Sequence, residues 1–273
     1  MTRALQRARR IVLTGSAFLL FFAGGAVLSY VLLPIAWHRG GTRDERARRC
    51  RAVLARAWTL FHRYMQARGL LRYDPRSVRL DLPRGAFVLV ANHPTLVDVT
   101  ALVSACPDAV SIAKSSMFRS PLVGRLLRYC DHVDAGDGSP FGGAAVAEKA
   151  FALLRAGTPV LIFPEGTRSP ERGLGEFRPG AFEIAARACV PVVPAFITCD
   201  PPTLMRGRAW YEVPDRMATM TVTQLPVLRP PYGLARDVAS ALRAVYLERM
   251  AASGPGAREP SPAAPQVANP HAS

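Results

Sequence analysis

An uncharged, almost wholly apolar run fills positions 11–37, bracketed by Arg7, Arg9 and Arg10 on one side and by Arg39 and Arg43 on the other. As a single helix, residues 11–35 would reach about 37 Å at ~1.5 Å per residue, enough for a hydrocarbon core of about 30 Å. A basic start, an apolar stretch and the small residues Ala23-Gly24-Gly25-Ala26 imitate a cleaved signal peptide. The apolar character nevertheless persists to Ile35, where a secreted domain would have turned polar. The run therefore reads as a membrane segment. Arginines at both ends leave the positive-inside rule undecided. A plain spanning helix and a hairpin broken at Gly24-Gly25 both satisfy the pattern, the hairpin needing partners for its freed backbone groups.

The pattern changes period after this run. Cys50, Leu54, Ala57, Phe61 and Met65 recur at spacings of three or four while Arg49, Arg56 and Arg63 form a separate stripe, which predicts an amphipathic helix over 46–68. Such a helix can lie at lipid headgroups with its arginines towards phosphates, or pack on a neighbouring core. After Asp74-Pro75, strand-like stretches at 78–82, 87–91, 110–113, 160–163, 192–197 and 220–228 alternate with helix-like ones at 95–105, 122–129, 144–155, 181–188 and 234–250. Alternation of this kind predicts an α/β layered core with helices over the sheet. From Ala251 the composition turns to Ala, Pro, Ser and Gly, which cannot bury enough apolar surface to offset ordering and predicts a disordered tail. The chain thus divides into a membrane anchor (1–40), an amphipathic interfacial helix (41–75), one α/β domain (76–250) and a tail (251–273).

Composition narrows the partners. The formal net charge is +15, nearly all of it from arginine, since Lys114 and Lys149 are the only lysines. A field of that sign suits nucleic acid or an anionic membrane. The apolar N-terminal run selects the membrane, and no zinc-finger spacing or RNP-like strand supports nucleic acid. Cys50, Cys106, Cys130, Cys189 and Cys199 show no Cys-x-x-Cys pair and no recurring His partner. They read as reduced, mostly buried thiols of a domain facing the cytoplasm, with neither a zinc site nor a disulfide framework.

Two blocks carry the chemistry: Asn92-His93-Pro94-Thr95-Leu96-Val97-Asp98, and some seventy residues later Phe163-Pro164-Glu165-Gly166-Thr167-Arg168-Ser169, each after an apolar strand-like run. An imidazole can take a proton from a hydroxyl while a carboxylate keeps it neutral and oriented. His93 suits the first role and Asp98 the second. The same residues fit a capping box with Thr95 as N-cap and Asp98 three positions on, and capping is compatible with catalysis. In the second block the amides of a glycine turn and the Arg168 guanidinium can converge on a phosphate.

Together and in this order, the blocks resemble the signatures of PlsC-type glycerolipid acyltransferases, the 1-acylglycerol-3-phosphate acyltransferases: Asn-His-x4-Asp and Phe-Pro-Glu-Gly-Thr-Arg-Ser. The resemblance covers roughly 78–228. It implies a layered α/β, glycerol-3-phosphate acyltransferase-like domain with an N-terminal membrane helix or hairpin, at the inner (cytoplasmic) membrane of a bacterium. It implies transfer of a fatty acyl chain from acyl-CoA or acyl carrier protein to the hydroxyl of a lysophospholipid, with no metal or organic cofactor. By resemblance, Glu165 helps organise the acceptor site with Gly166 and Thr167, and Lys114 matches the lysine ahead of a Pro-x-x-Gly element, here Pro121 to Gly124. Arg178, in Phe177-Arg178-Pro179-Gly180, is a further candidate for substrate binding, and Val190-Pro191-Val192-Val193-Pro194 resembles a fourth block that walls the acyl pocket.

One departure matters. Residues 129–136 hold no arginine where the family usually carries one for the acceptor's phosphate. An acceptor with fewer phosphate contacts, such as an aryl polyene or lyso-ornithine lipid, is the alternative. The runs Cys199 to Leu204 and Trp210 to Pro214 also look like a branch associated with aryl polyene lipid synthesis, and read equally as a turn-rich loop anchored by aromatics. An inactive lipid-binding scaffold is the other class of reading, against which His93, Asp98, Glu165 and Arg168 all weigh.

Overall fold

The computed structural model describes residues 3–73, 78, 80–136 and 140–252. Helix α1 (Arg3–Val27) runs through a π-helical turn (Leu28–Leu32) into α2 (Leu33–Trp37). The result is one rod from Ala4 to Trp37 rather than a hairpin, long and apolar enough to cross a membrane. Gly24 and Gly25 do not break it. Gly25 instead admits a neighbour, since a Cβ there would lie 2.9 Å from Val123 Cγ1.

A short turn leads to α3 (Arg43–Ala67), which starts at a complete capping box. Thr42 Oγ1 accepts from the Glu45 amide at 3.3 Å, and Glu45 Oε2 accepts from the Thr42 amide at 2.8 Å. Cys50, Leu54, Trp58, Phe61 and Met65 are buried along one stripe that packs on the first helix and on the core, while Arg56 and Arg63 face outward. The packing alternative for this helix is therefore the one its contacts support.

Seven strands form the sheet: β1 (Leu71–Arg72), β2 (Val88–Ala91), β3 (Val110–Ala113), β4 (Val133–Asp134), β5 (Val160–Ile162), β6 (Val192–Asp200) and β7 (Ala218–Gln224). Their order is β1-β7-β6-β2-β5-β3-β4. All neighbours run parallel except β6 and β7. Central β2 is buried at all four positions, as a parallel strand covered on both faces must be. Its alternating side chains feed two cores: Leu89 and Ala91 join the cluster under α1 and α3, Val88 and Val90 the cluster on the other face. The remaining helices are α4 (Asp98–Ala105), α5 (Ser115–Arg119), α6 (Gly124–Tyr129), α7 (Pro140–Arg155), α8 (Gly180–Ala188) and α9 (Ala235–Ala252). Tyr246 ties α9 to the sheet, its buried hydroxyl donating to Val90 O at 3.1 Å and Ala195 O at 3.0 Å.

The sequence reading needs correction at several boundaries. The strand expected at 78–82 does not form at 78 or at 80–82. Leu71–Arg72 pairs with the outer edge of β7 instead, and the later segment meets β7 through a side chain, Gln224 Nε2 donating to Asp81 O at 3.1 Å. The strand expected at 220–228 ends at Gln224, with Val192–Leu228 as a lone bridge beyond it. Strand β4 and helix α5 were not foreseen. Asp74, Pro75 and the tail from 253 onward lie outside the described residues.

Candidate active site

The site forms where the parallel strands β2 and β5 end, the customary crevice of an open α/β sheet. Past the end of β2, Asn92 clips the chain to β6: its Nδ2 donates to Ile197 O at 2.8 Å and its Oδ1 accepts from the Ile197 amide at 2.7 Å. His93 follows, its ring stacked on Phe163 with centroids 4.3 Å apart. His93 Nδ1 lies 2.8 Å from Asp98 Oδ2. The Asp98 side chain is fully buried, whereas that of His93 retains 16% exposure.

Asp98 also accepts from the Thr95 amide at 2.6 Å and from the Thr95 hydroxyl at 2.5 Å. The expected capping box is thus half present. Thr95 Oγ1 accepts from the Val97 amide at 3.3 Å, and α4 begins at Asp98 rather than at 95. Burial pushes the Asp98 carboxyl above its ordinary pKa, opposed by the donors from His93 and Thr95. An acceptor fixed on Nδ1 leaves Nε2 as the basic nitrogen of His93.

Glu165 is buried, and its carboxylate braces backbone. Oε1 accepts from the His93 amide at 3.0 Å and the Ser169 hydroxyl at 2.7 Å, and Oε2 accepts from the Gly175 amide at 2.8 Å. The Ser169 amide donates to His93 O at 2.8 Å. Two residues outside the predicted set therefore hold the site: Ser169, which stood in the second block, and Gly175, which carried no signal beyond being glycine. A Cβ on Gly175 would sit 2.8 Å from Glu165 Oε2.

His93, Lys114, Gly166, Thr167, Arg168 and Arg178 all line one cavity of about 850 Å³. Asp98 and Glu165 stand behind this wall. Gly166 adopts a φ of +66°, and a Cβ there would lie 3.2 Å from Arg178 Cζ, so a glycine lets the guanidinium approach the turn. Arg168 Nη1 donates to Leu204 O at 3.0 Å. Much of the remaining wall is apolar, with Phe18 and Phe21 from α1, Trp58 and Phe61 from α3, and Val97 and Leu127. An imidazole and a set of cations beside an apolar volume can hold an anionic head with an alkyl chain and remove a proton from a hydroxyl between them.

In the block without arginine, Ala135 lines the cavity and brings no charge. His132 is buried, its Nδ1 accepting from the Ser111 amide at 2.9 Å, and burial lowers its pKa to about 4. Asp134 accepts from the Ser115 hydroxyl and from the Gly136 amide. The cysteines are all free, three of them buried. Among the described residues, no group of three or more His, Cys, Asp and Glu side chains could hold a metal ion.

Comparison with known proteins agrees with this geometry. Residues 76–198 match the family model described as Acyltransferase. A chloroplastic 1-acyl-sn-glycerol-3-phosphate acyltransferase of Brassica napus is 36% identical over 107 residues, covering 39% of this chain and 31% of that protein. The 1-acyl-sn-glycerol-3-phosphate acyltransferase of Escherichia coli strain K12 is 32% identical over 117 residues, 42% of this chain and 47% of that protein. The chain thus spans less than half the length of either relative. The crystal structure of the 1-acyl-sn-glycerophosphate acyltransferase PlsC from Thermotoga maritima shares the fold, with a TM-score of 0.67 at 18% identity over 95% of this chain and 100% of that one. Residues 76–198 thus resemble the Acyltransferase family, relatives named as 1-acyl-sn-glycerol-3-phosphate acyltransferases align over about two fifths of the chain, and the fold is shared with PlsC.

Proposed function

We propose that this protein transfers a fatty acyl group from an acyl thioester, acyl-CoA or acyl carrier protein, to the free hydroxyl of a 1-acyl-sn-glycerol-3-phosphate-like acceptor. The observation that carries the reading is the 2.8 Å contact between His93 Nδ1 and buried Asp98 on the wall of an apolar cavity ringed by Lys114, Arg168 and Arg178. His93 Nε2 takes the acceptor's hydroxyl proton as its oxygen attacks the thioester carbonyl. The tetrahedral adduct collapses, the C–S bond breaks, and the departing thiolate recovers the proton from His93. Asp98 holds the Nδ1 proton and stabilises the transient imidazolium, so no acyl-enzyme is needed. Glu165 acts by bracing the His93 backbone rather than by touching substrate, and Arg168 with Lys114 is assigned to the acceptor's phosphate.

One observation favours a second acceptor class. Ala135 faces the cavity from the block that lacks arginine, which lowers the charge available to a phosphate monoester. A lipid with a less charged head, an aryl polyene or lyso-ornithine lipid among them, fits that wall. The membrane helix and the arginine-rich surface support a place at the inner membrane with the α/β domain in the cytoplasm. The test is direct: purified protein in detergent, labelled acyl-CoA or acyl carrier protein, and a panel of lyso-lipids. A labelled diacyl phosphate from lysophosphatidate supports the first acceptor, label on another lipid only supports the second, and no transfer with any pair overturns acyl transfer.

A further inference from the structure

The exposed apolar side chains are not scattered. Apart from those of the first helix, eight large ones are exposed among the described residues, and five of them, Leu96, Met117, Leu122, Trp210 and Tyr211, belong to segments that border that helix or the cavity. Trp210 is 47% and Tyr211 52% exposed although their rings pack on each other, with centroids 5.8 Å apart. The Trp210 ring also meets Phe18 edge-on at 6.0 Å and passes over Gly15, where a Cβ would lie 3.5 Å from it. The Arg10 guanidinium donates to Arg216 O at 2.9 Å, a second tie between this loop and α1. At the other flank, Ser29 and Tyr30 of the first helix donate to Leu122 O at 2.9 Å and Pro121 O at 2.8 Å. Both flanks also supply cavity wall, Met117 and Val123 on one side, Leu204, Val213 and Pro214 on the other.

We propose that the loop around Trp210 and Tyr211 is a second membrane-contacting element, which enters the headgroup region of an anionic phospholipid bilayer beside α1. Exposed Trp and Tyr next to a lipid-facing helix are the side chains that prefer this interface, apolar in body and polar at one edge. Exposed apolar side chains gathered beside an uncovered apolar helix, rather than scattered singly, mark an interaction site. Continuity with the apolar first helix selects the partner: the loop packs on Phe18 and Gly15 of that helix, its own exposed Arg208 and Arg216 pair with Glu171 and Asp200, and the chain's net charge of +15 suits anionic headgroups. The tie of Arg168 and of the Leu96 amide to Leu204 O connects this loop to the cavity's cationic wall. Lipid contact here places the cavity entrance against the bilayer, so that a lipid acceptor reaches His93 without passing through water.

The inference rests on the membrane reading of the first helix, and one experiment separates the two. With three tryptophans in the chain, Trp37→Phe and Trp58→Phe leave Trp210 as the sole emitter. The full-length variant is reconstituted with phosphatidylglycerol and phosphatidylethanolamine vesicles and floated. Failure to float would refute the membrane reading itself. If it floats, we expect blue-shifted Trp210 emission, loss of intensity with brominated lipids and protection from iodide. Iodide quenching without brominated-lipid quenching would overturn the loop contact, and protection from both would assign the patch to a second protein copy and overturn it equally. Should the double variant misfold, wild type containing fluorotryptophan, with the Trp210 resonance assigned through Trp210→Phe, gives the same decision by broadening from spin-labelled lipid or from soluble gadolinium.

Discussion

At the scale of single residues, His93 is positioned three times over: by Asp98 at its Nδ1, by Phe163 against its ring, and by Glu165 and Ser169 at its backbone. His93→Ala is expected to lower kcat by about 10² to 10⁴ in a folded protein, the usual contribution of a placed general base. Near-normal turnover would end the mechanism. Asp98→Asn should be comparably impaired while staying folded, because its amide can keep the contacts to His93 and Thr95, whose hydroxyl turns to accept from the NH2, but no longer carries the charge that stabilises the imidazolium on His93. Arg168→Ala should reduce kcat/KM for a phosphate-bearing acceptor by roughly one to three powers of ten, the range of a lost charge-assisted hydrogen bond, and spare the donor. Kinetics with donor and acceptor varied separately decide it, since equal losses towards both substrates would point to disruption of the Leu204 contact. The sequence made His93, Asp98 and Arg168 visible because motif spacing places charged side chains on one short loop each. It could not show the brace at Gly175, whose role comes from a carboxylate ten residues away and exists only once the loop has folded back.

At the scale of elements, the hydrophobic periods located most helices and central strands, and failed at edges. Strand β1 has two residues and no alternation to read, and its partner β7 decides where it pairs. The question left open by Gly24-Gly25 turned on a tertiary contact: Gly25 is buried under Val123, whereas a Cβ on Gly24 would meet nothing within 4 Å. Two substitutions test this asymmetry. Gly25→Leu should destabilise the protein by about 1 to 3 kcal/mol through overpacking, whereas Gly24→Leu should be near neutral or slightly stabilising because leucine is the better helix former. Thermal unfolding in detergent measures both, and equal effects would show that the helix packs elsewhere. Deleting residues 1–39 should do more than release the protein from membranes. It strips Leu28, Leu33 and Ala36 from the core and uncovers the stripe of α3, so we expect aggregation rather than a clean soluble enzyme, read by gel filtration.

At the scale of the whole molecule, the protein combines a hydrophobic interior with two histidines that must stay neutral in it. His62 is fully buried, its Nε2 3.0 Å from Thr100 Oγ1, and it joins α3 to the helix that starts at Asp98. Burial lowers the pKa of His62 to about 4, and burial followed by the nearby Arg51 charge lowers that of His132 to about 4. Unfolded histidine titrates near 6.5. Between those values the unfolded chain binds protons that the folded one refuses, so stability rises with pH across the window. The contribution is intact above about pH 6.5 and is lost progressively towards pH 4, at about 3 kcal/mol per histidine from a shift of this size. Asp98, raised by burial, works in the opposite direction from the ordinary carboxylate range upward, overlapping this window, so variants must alter the histidines alone. His62→Gln retains a donor for Thr100, and His132→Gln retains an acceptor for the Ser111 amide. Each should flatten the dependence of unfolding free energy on pH between about 6.5 and 4, and the double variant more so. Denaturant titrations at a series of pH values in one detergent give the slopes, and an unchanged slope in the double variant would mean that these imidazoles do not govern the acid sensitivity of the fold.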